Sequence, residues 1–580
     1  MKSCERLAVI DLGSNSFRLV VFTATEGWWQ RSDEIYQVVR IGEGMAATGR
    51  LGEEPMQRAL ATLDVFAHFC EAAGLSMAPA RGLARAKKNG SSLVGAKKES
   101  NAHRSGAGAS AVDAVATSAI RDAENAKAFL AEARKRTQLP IRVLSREQEA
   151  RYGYLAAVNS TTLSDGCMLD LGGGSMQLVG VRDRRAHESG SWRVGAVRMT
   201  ERFLPNGGPA KPRQLEALRE HVATELQSAT WLPKTGRRLV GIGGTVRGLA
   251  AVAQRAEGLP SNGVQGMTVT REALLEIVER LAALPPSERA SVPGVKPARA
   301  DLILAGAVVL EGALRAGGFD ALEATEAGLR EGVFFERHLS KEEGPSRSTG
   351  TLASGERAGG VQIIGQPPFG QLRHPLGDPA HPDEPPLFEN VRRASVENLA
   401  ARYGVDRAHT QHVATLALGM FDQLARMGLH EGDAQERELL WAACMLHDIG
   451  MSVDYDDHHK HSRYLILSAG LPGYSPKEVA IVAQAARYHR KGMPDPGPLA
   501  ALFGAGDVAR LNRCAVLLRL AEDLERSRDQ LVKDTLLSAE NGSVQLRLLA
   551  EGGSAVPRWA AGRESELFAR AFDKTLSVVA

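Results

Sequence analysis

Apolar positions follow two regimes along the chain: short strand-like runs alternating with helical spacing up to about residue 340, and helical spacing almost throughout from Phe388 onward. Residues 7–10 and 17–22 flank a polar turn and predict a β-hairpin with Ser14, Asn15 and Ser16 at its tip. Leu60, Leu63, Phe66, Ala67 and Cys70 recur at helical intervals, which predicts an amphipathic helix over 56–73. A strand over 112–120, a helix over 123–136 and a strand over 141–144 follow. Ser145 with Gln148 three residues on has the form of a capping box, so a helix starts there with Glu147 and Glu149 in its first turns. Strands are predicted at 166–169, 177–181 and 239–242, and a helix at 299–314. Beyond Phe388, helices at 392–403, 409–426, 436–446, 461–468, 476–488 and 507–526 are joined by short loops. Residues 544–549 and 568–576 read as a small strand and helix cap.

Two segments break these patterns. Residues 85–110 are rich in Lys, Gly, Ser and Ala without periodicity and have too little apolar surface to offset the entropy of ordering, so a disordered insertion is expected. Residues 341–386 hold a Pro/Gly-rich run and are expected to form an extended linker.

The strand-to-turn junctions carry the candidate chemistry. The strand ending at Asp11 runs into Leu-Gly-Ser-Asn-Ser, and the one ending at Asp170 runs into Leu-Gly-Gly-Gly-Ser. Each delivers a carboxylate to a strand tip and then exposes backbone N–H groups able to cradle phosphate oxygens. Two copies about 160 residues apart point to a duplicated domain with a phosphate site in the cleft between its halves. Gly243, Gly244 and Thr245 form a third turn of this kind. Arg121, at a strand-to-helix junction, offers a planar donor fork suited to phosphate, and would serve equally as a surface ion-pair partner. Glu149 reads either as a complement to the helix dipole or as a general base.

Length and composition narrow the class. A chain of 580 residues exceeds a single hydrophobic core. A net charge of +3 argues for no polyanion by itself, so any basic site must be local. Five scattered cysteines without a C-x-x-C pair fit a reducing compartment better than a disulfide framework. No apolar run approaches the roughly 20 residues of a spanning helix, and the N-terminus has no signal-peptide pattern, so a cytoplasmic protein without a membrane partner is expected.

Together, Asp11-Leu-Gly-Ser-Asn-Ser, Thr117-Ser-Ala-Ile-Arg121, Glu149-Ala-Arg, Asp170-Leu-Gly-Gly-Gly-Ser, Gly243-Gly-Thr and Gly328-Leu-Arg-Glu-Gly resemble the exopolyphosphatase/guanosine pentaphosphate phosphohydrolase family over about residues 7–340. The resemblance implies two ribonuclease-H-like lobes of the actin, Hsp70 and sugar-kinase superfamily, at 1–160 and 161–340. An HD-like helical domain at 387–535 and a small α+β cap at 536–580 would follow. It also implies hydrolysis of a terminal phosphoanhydride, with Glu149 as base, Asp170 and Asp11 holding Mg2+ or orienting water, and Arg121 beside them. Ser14, Asn15, Gly173, Gly174, Ser175, Gly243, Gly244 and Thr245 would cradle phosphates. The substrate is expected to be inorganic polyphosphate, or alternatively pppGpp of the stringent response, with nucleic acid not expected. A catalytically weak sensor of polyphosphate or ppGpp is a third reading, and the resemblance also allows a homodimer.

In the helical region, His412, His447-Asp448 and Asp523 resemble the H…HD…D ligand order of HD-domain phosphohydrolases, read either as a metal cage or as a decayed site kept as a platform. Arg487, Arg490 and Lys491, next to His489, crowd positive charge that would suit a polyanion or simply a solvated face. The sequence departs from the family at Gln177 and Gln148, where glutamate is usual. Both changes would remove negative charge near the cleft.

Overall fold

The computed structural model describes residues 4–77, 110–205, 207–339, 385–540 and 542–579; the expected insertion and linker lie outside the described residues except at their last positions. The first sheet has the order β3-β2-β1-β4-β5, built from β1 (Glu5–Leu12), β2 (Ser16–Ala24), β3 (Trp29–Val38), β4 (Ala111–Ala116) and β5 (Ile141–Val143). β1 runs antiparallel to β2 and parallel to β4. The second sheet comprises β6 (Gly166–Leu171), β7 (Met176–Arg182), β8 (Arg185–Trp192), β9 (Arg238–Ile242), β10 (Thr268–Thr270) and β11 (Ala321–Ala324), in the order β10-β11-β9-β6-β7-β8. Read from β8 to β11, it repeats the order and strand directions of the first sheet, with β10 added at the edge. The expected duplicated, ribonuclease-H-like lobes are therefore present.

β1 and β6 are central strands covered on both faces, which is why they read as nearly unbroken apolar runs rather than as alternating ones. The helix Glu53–Ala72 buries Leu60, Leu63, Phe66 and Cys70 against the first sheet, as its spacing predicts. The strand expected over 112–120 stops at Ala116, and Ser118–Asp122 turns helical beyond an extended Thr117. A short apolar run is compatible with either state, so periodicity alone could not place that boundary.

The lobes are crossed by two helices. Arg146–Val158, started by the Ser145/Gln148 capping box, packs on β6, β7, β8 and β9 of the second sheet. Leu329–Leu339 packs on β1 of the first sheet and on the helix Arg146–Val158. At Gly332 a Cβ would overlap the Tyr152 carbonyl, so the two helices meet where only glycine fits.

The helices Val391–Arg402, Arg407–Arg426, Ala434–Leu446, His458–Ala469, Pro476–Arg487 and Asp507–Leu524 surround one apolar core. A sheet of β12 (Val532–Glu540), β13 (Ser543–Ala550) and β14 (Thr575–Val579) closes the chain, with β12 against Arg407–Arg426. Only its middle strand was legible in the sequence; the stretch expected over 568–576 is helical to Phe572 and becomes β14 from Thr575.

The helical region is fastened to both lobes. Asn159 brackets the incoming chain, accepting from Phe388 N at 2.9 Å and donating to Pro386 O at 3.2 Å. Trp29 N donates to Asn398 Oδ1 at 2.8 Å, and Asn398 Nδ2 donates back to Trp29 O at 3.1 Å. Gly473 N donates to Ser160 O at 3.0 Å. Among the described residues, no helix is long and apolar enough to cross a membrane.

Candidate active site

The two aspartate turns are built alike. Gly13 N donates to Ser16 O at 3.2 Å, and Gly172 N to Ser175 O at 3.0 Å, so each strand tip folds over the same tight loop. The two loops face each other across the lobes: a Cβ on Gly174 would lie 2.5 Å from Ser118 Oγ and 3.1 Å from Ser14 Oγ, and one on Gly173 would lie 3.0 Å from Ser14 Cβ. Ser14 and Ser118 share a hydrogen bond of 3.0 Å between their hydroxyls. Gly243 joins them from the third turn, where its φ of +103° and the nearby Leu171 carbonyl, 2.8 Å from where a Cβ would sit, exclude a side chain.

Around this meeting point lie the expected carboxylates. Glu149 is buried, and Arg121 Nη1 donates to its Oε2 at 2.7 Å and to Leu144 O at 3.1 Å. Burial pushes the Glu149 carboxyl above its usual range; Arg121 opposes this, while Asp11 and Asp122 add to it. Burial, followed by Glu149 and Asp11, raises Asp170 to about 7. Asp11 is raised by burial against the pull of Arg330 and Arg18. Three acids on three separate segments therefore feel one another's charge. Asn15 is buried with neither side-chain amide atom hydrogen-bonded, although its carbonyl accepts from Val39 N and Arg40 N.

Some expected contributors are already engaged. Ser175 Oγ accepts from Gln177 Nε2 at 2.8 Å, and buried Thr245 packs against Gly306. Gln177 stands opposite Asp170 in the β6–β7 register, wholly buried, and its Oε1 has no hydrogen-bond partner. Gln148 does not bear on the cleft: it is exposed, and its side chain accepts from Ser145 N at 3.0 Å as part of the helix cap.

The sequence reading missed a set of arginines. Arg18 stands opposite Asp11 in the β1–β2 register, as Gln177 does opposite Asp170. Arg247, on the helix that follows Gly243, donates to Glu326 O at 3.0 Å, and is pushed down to about 10 by burial and then by Arg330 and Arg18. Arg299 lies against Gly244, with its Nη1 2.7 Å from where a Cβ would sit. Arg330 is buried with Nε unpartnered, and the neighbouring Glu331 has Oε1 unpartnered. An arginine interrupting the buried strand FRLVVF, and a charged pair between Gly328 and Gly332, were the available signals. At the rim, Asp122 gathers Arg193 at 3.4 Å, Arg146 at 3.7 Å and Arg198 at 3.9 Å, beside an open depression of about 800 Å³ that Arg198, Arg202 and Thr200 help to line.

The helical region departs from expectation. His412 points to β12, with Nε2 2.8 Å from Val532 O, and Asp523 pairs with Arg526 at 3.4 Å. Neither joins His447 and Asp448. The residues that do are His409 and Glu522, because His409 lies one helical turn from His412 and Glu522 is rotated about 100° from Asp523. Arg487, Arg490 and Lys491 lie at least partly open to solvent beside Tyr488, Tyr455 and His459.

Two like lobes close on a shared set of carboxylates and arginines, an architecture of the actin-like fold class. A family model described as the Ppx/GppA phosphatase family matches residues 102–341, and one for domain III of the same family matches residues 391–553, together more than half of the chain. The chain belongs to the Ppx/GppA phosphatase family. It is similar to an Aquifex aeolicus family member at 26% identity over 59% of this chain and 100% of that one, with a TM-score of 0.46. It is also similar to an exopolyphosphatase from Cytophaga hutchinsonii at 20% identity over 57% and 97% of the two chains, with a TM-score of 0.48.

Proposed function

We propose that the cleft hydrolyses the terminal phosphoanhydride bond of inorganic polyphosphate in the cytoplasm. The observation that carries this reading is the crowding of Arg18, Arg247, Arg299 and Arg330 around Asp11 and Asp170. Burial, with Arg330 and Arg299, pulls Arg18 and Arg247 below their usual range, and the anionic oxygens of a phosphate chain would offset that repulsion. The rim arginines Arg146, Arg193 and Arg198 extend the positive charge outward, which favours a long polyanion over a single nucleotide end.

Glu149 takes a proton from water, the water oxygen attacks the terminal phosphorus, and the bond to the bridging oxygen breaks to release orthophosphate and a chain one unit shorter. Arg121 holds Glu149 in place, and Arg18, Arg247 and Arg330 stabilise charge gathering on the phosphoryl oxygens. Amides of the Ser14–Asn15, Gly173–Gly174 and Gly243–Gly244 turns, with the unsatisfied Asn15 amide, orient the chain end. Asp11 and Asp170, each close enough to feel the other's charge, are the oxygen donors that would hold Mg2+, which when bound would neutralise phosphate charge.

The test is competition between long-chain polyphosphate and pppGpp with Mg2+ present, following orthophosphate release. A kcat/KM at least tenfold higher for polyphosphate is expected. Preference for pppGpp would reassign the substrate, and tight binding of either without turnover would make the cleft a sensor.

A further inference from the structure

The three small-residue turns come from two lobes, and one loop of the first lobe connects them. Residues 39–44 follow β3 and lie behind the first turn: Val39 N and Arg40 N donate to Asn15 O at 3.2 and 2.8 Å, and Gly42 N donates to Ser14 O at 3.0 Å. Arg40 has a φ of +52°, a left-handed conformation that favours glycine, yet the position carries a long charged side chain. That side chain crosses to the second lobe, where Nη1 pairs with Asp301 Oδ2 at 2.9 Å. Gly44 N, four residues on, donates to Glu201 Oε1 at 3.0 Å, again across the lobes.

Each far end leads to another turn. Glu201 lies on the helix Ala196–Phe203, whose first residues hold the second turn: Ala196 N donates to Gly172 O at 3.0 Å, Val197 N to Gly173 O at 2.9 Å and Arg198 Nε to Gly174 O at 3.2 Å. Asp301 lies two residues beyond Arg299, which sits against Gly244 of the third turn. Arg299 N donates to Lys296 O at 2.9 Å and Leu302 N to Arg299 O at 3.0 Å, so 296–302 is tightly folded and a tether on Asp301 is also a tether on Arg299.

Arg299 needs one, because it stands among like charges. Burial, then Arg330 and also Arg299, hold Arg18 and Arg247 below their usual range, and the same repulsion pushes Arg299 toward solvent. Asp301 meanwhile turns its carboxylate to Arg40 and lies near enough to buried Arg289 to favour that charge. With 40% of the Arg40 side chain and 31% of the Asp301 side chain exposed, the pair adds little to overall stability, so what it fixes is geometry.

We propose that Arg40 and Asp301 are positioning residues that set the spacing between the Ser14–Asn15 amides of the first lobe and Arg299 of the second, so that both hold one phosphate chain at once. This role rests on the reading of the cleft as a polyphosphate site. With the lobes tied at that spacing, a chain that reaches the first turn meets Arg299 already in place, and less freedom is lost on binding.

The Kd of full-length protein for long-chain polyphosphate at fixed salt, measured beside KM for orthophosphate release, separates position from charge. Arg40→Gln removes a positive charge and Asp301→Asn a negative one, so a purely electrostatic effect would weaken polyanion binding in the first and tighten it in the second. Lost positioning should weaken both by about two- to fivefold, with the double variant no weaker than either. Arg40→Lys keeps the cation and should recover most of the affinity. Arg299→Gln should cost about tenfold or more, and in that background Arg40→Gln should change nothing further. Melting temperature should hold in Arg40→Gln; where Asp301→Asn lowers it by leaving Arg289 uncompensated, the Arg40 and Arg299 variants decide the question. Tighter binding in Asp301→Asn, or losses from Arg40→Gln and Arg299→Gln that multiply in the double variant, would overturn the positioning role and leave the polyphosphate reading standing. Wild-type protein that binds polyphosphate without turnover would instead refute hydrolysis, with the same variants still compared through Kd, and wild-type protein that binds none would overturn both.

Discussion

Replacing Glu149 by glutamine isolates the proposed base with little other change. The side chain is buried and isosteric, its Oε1 would still accept from Arg121 Nη1, and the Ser145/Gln148 cap one turn earlier is untouched, so fold and melting temperature should hold. Positioned general-base catalysis contributes about 10²–10⁴-fold, or about 2.7–5.4 kcal/mol of barrier, so kcat for orthophosphate release should fall by that factor with KM little altered. The pH profile adds a second readout. Burial holds the Glu149 carboxyl above its usual range, and a base works only when deprotonated, so the wild-type rate should climb with pH through a limb lying above ordinary carboxylate titration and then level off. In the variant that limb should vanish. A variant within about tenfold of wild type, or one keeping the limb, would refute Glu149 as the base.

Gly174→Ala places a methyl 2.5 Å from Ser118 Oγ, and overpacking of this kind costs about 1–3 kcal/mol, so the melting temperature should drop and KM rise. Adding Ser118→Ala should restore part of the loss, and no recovery in the double variant would show that the loops do not meet there. Asp170, raised to about 7, stabilises the fold in its protonated form, so metal-free protein should lose stability as pH rises from about 4 through 7, by an amount on the order of 4 kcal/mol at most. Added Mg2+ should therefore raise the melting temperature more at alkaline than at acid pH, and Asp170→Asn should flatten the dependence. An unchanged profile in Asp170→Asn would refute the burial of that charge.

The duplicated lobes were legible because each repeats one local device, a central apolar strand ending in aspartate and a small-residue turn. Asp11 and Asp170 sit on such devices and Glu149 on the capped helix between them, and the three feel one another's charge in the structure. The arginines did not announce themselves, because Arg18, Arg247 and Arg299 reach the cleft through strand register and interlobe packing, which no local window contains. The helical cluster shows the same limit at single-residue scale. His409 and His412, or Glu522 and Asp523, are equally plausible in an ordered motif, and only the face each helix turns inward decides between them.

The doubled bond between Trp29 and Asn398 ties the outer strand of the first lobe to the same helical region that Ser160 and Asn159 grip beside the second. Any hinge motion that widens the mouth for an incoming chain must therefore either drag this third body along or break one set of fastenings. Breathing of the cleft and local unzipping at residues 385–398 thus become one event, which amide exchange at Trp29 and Phe388 would register together.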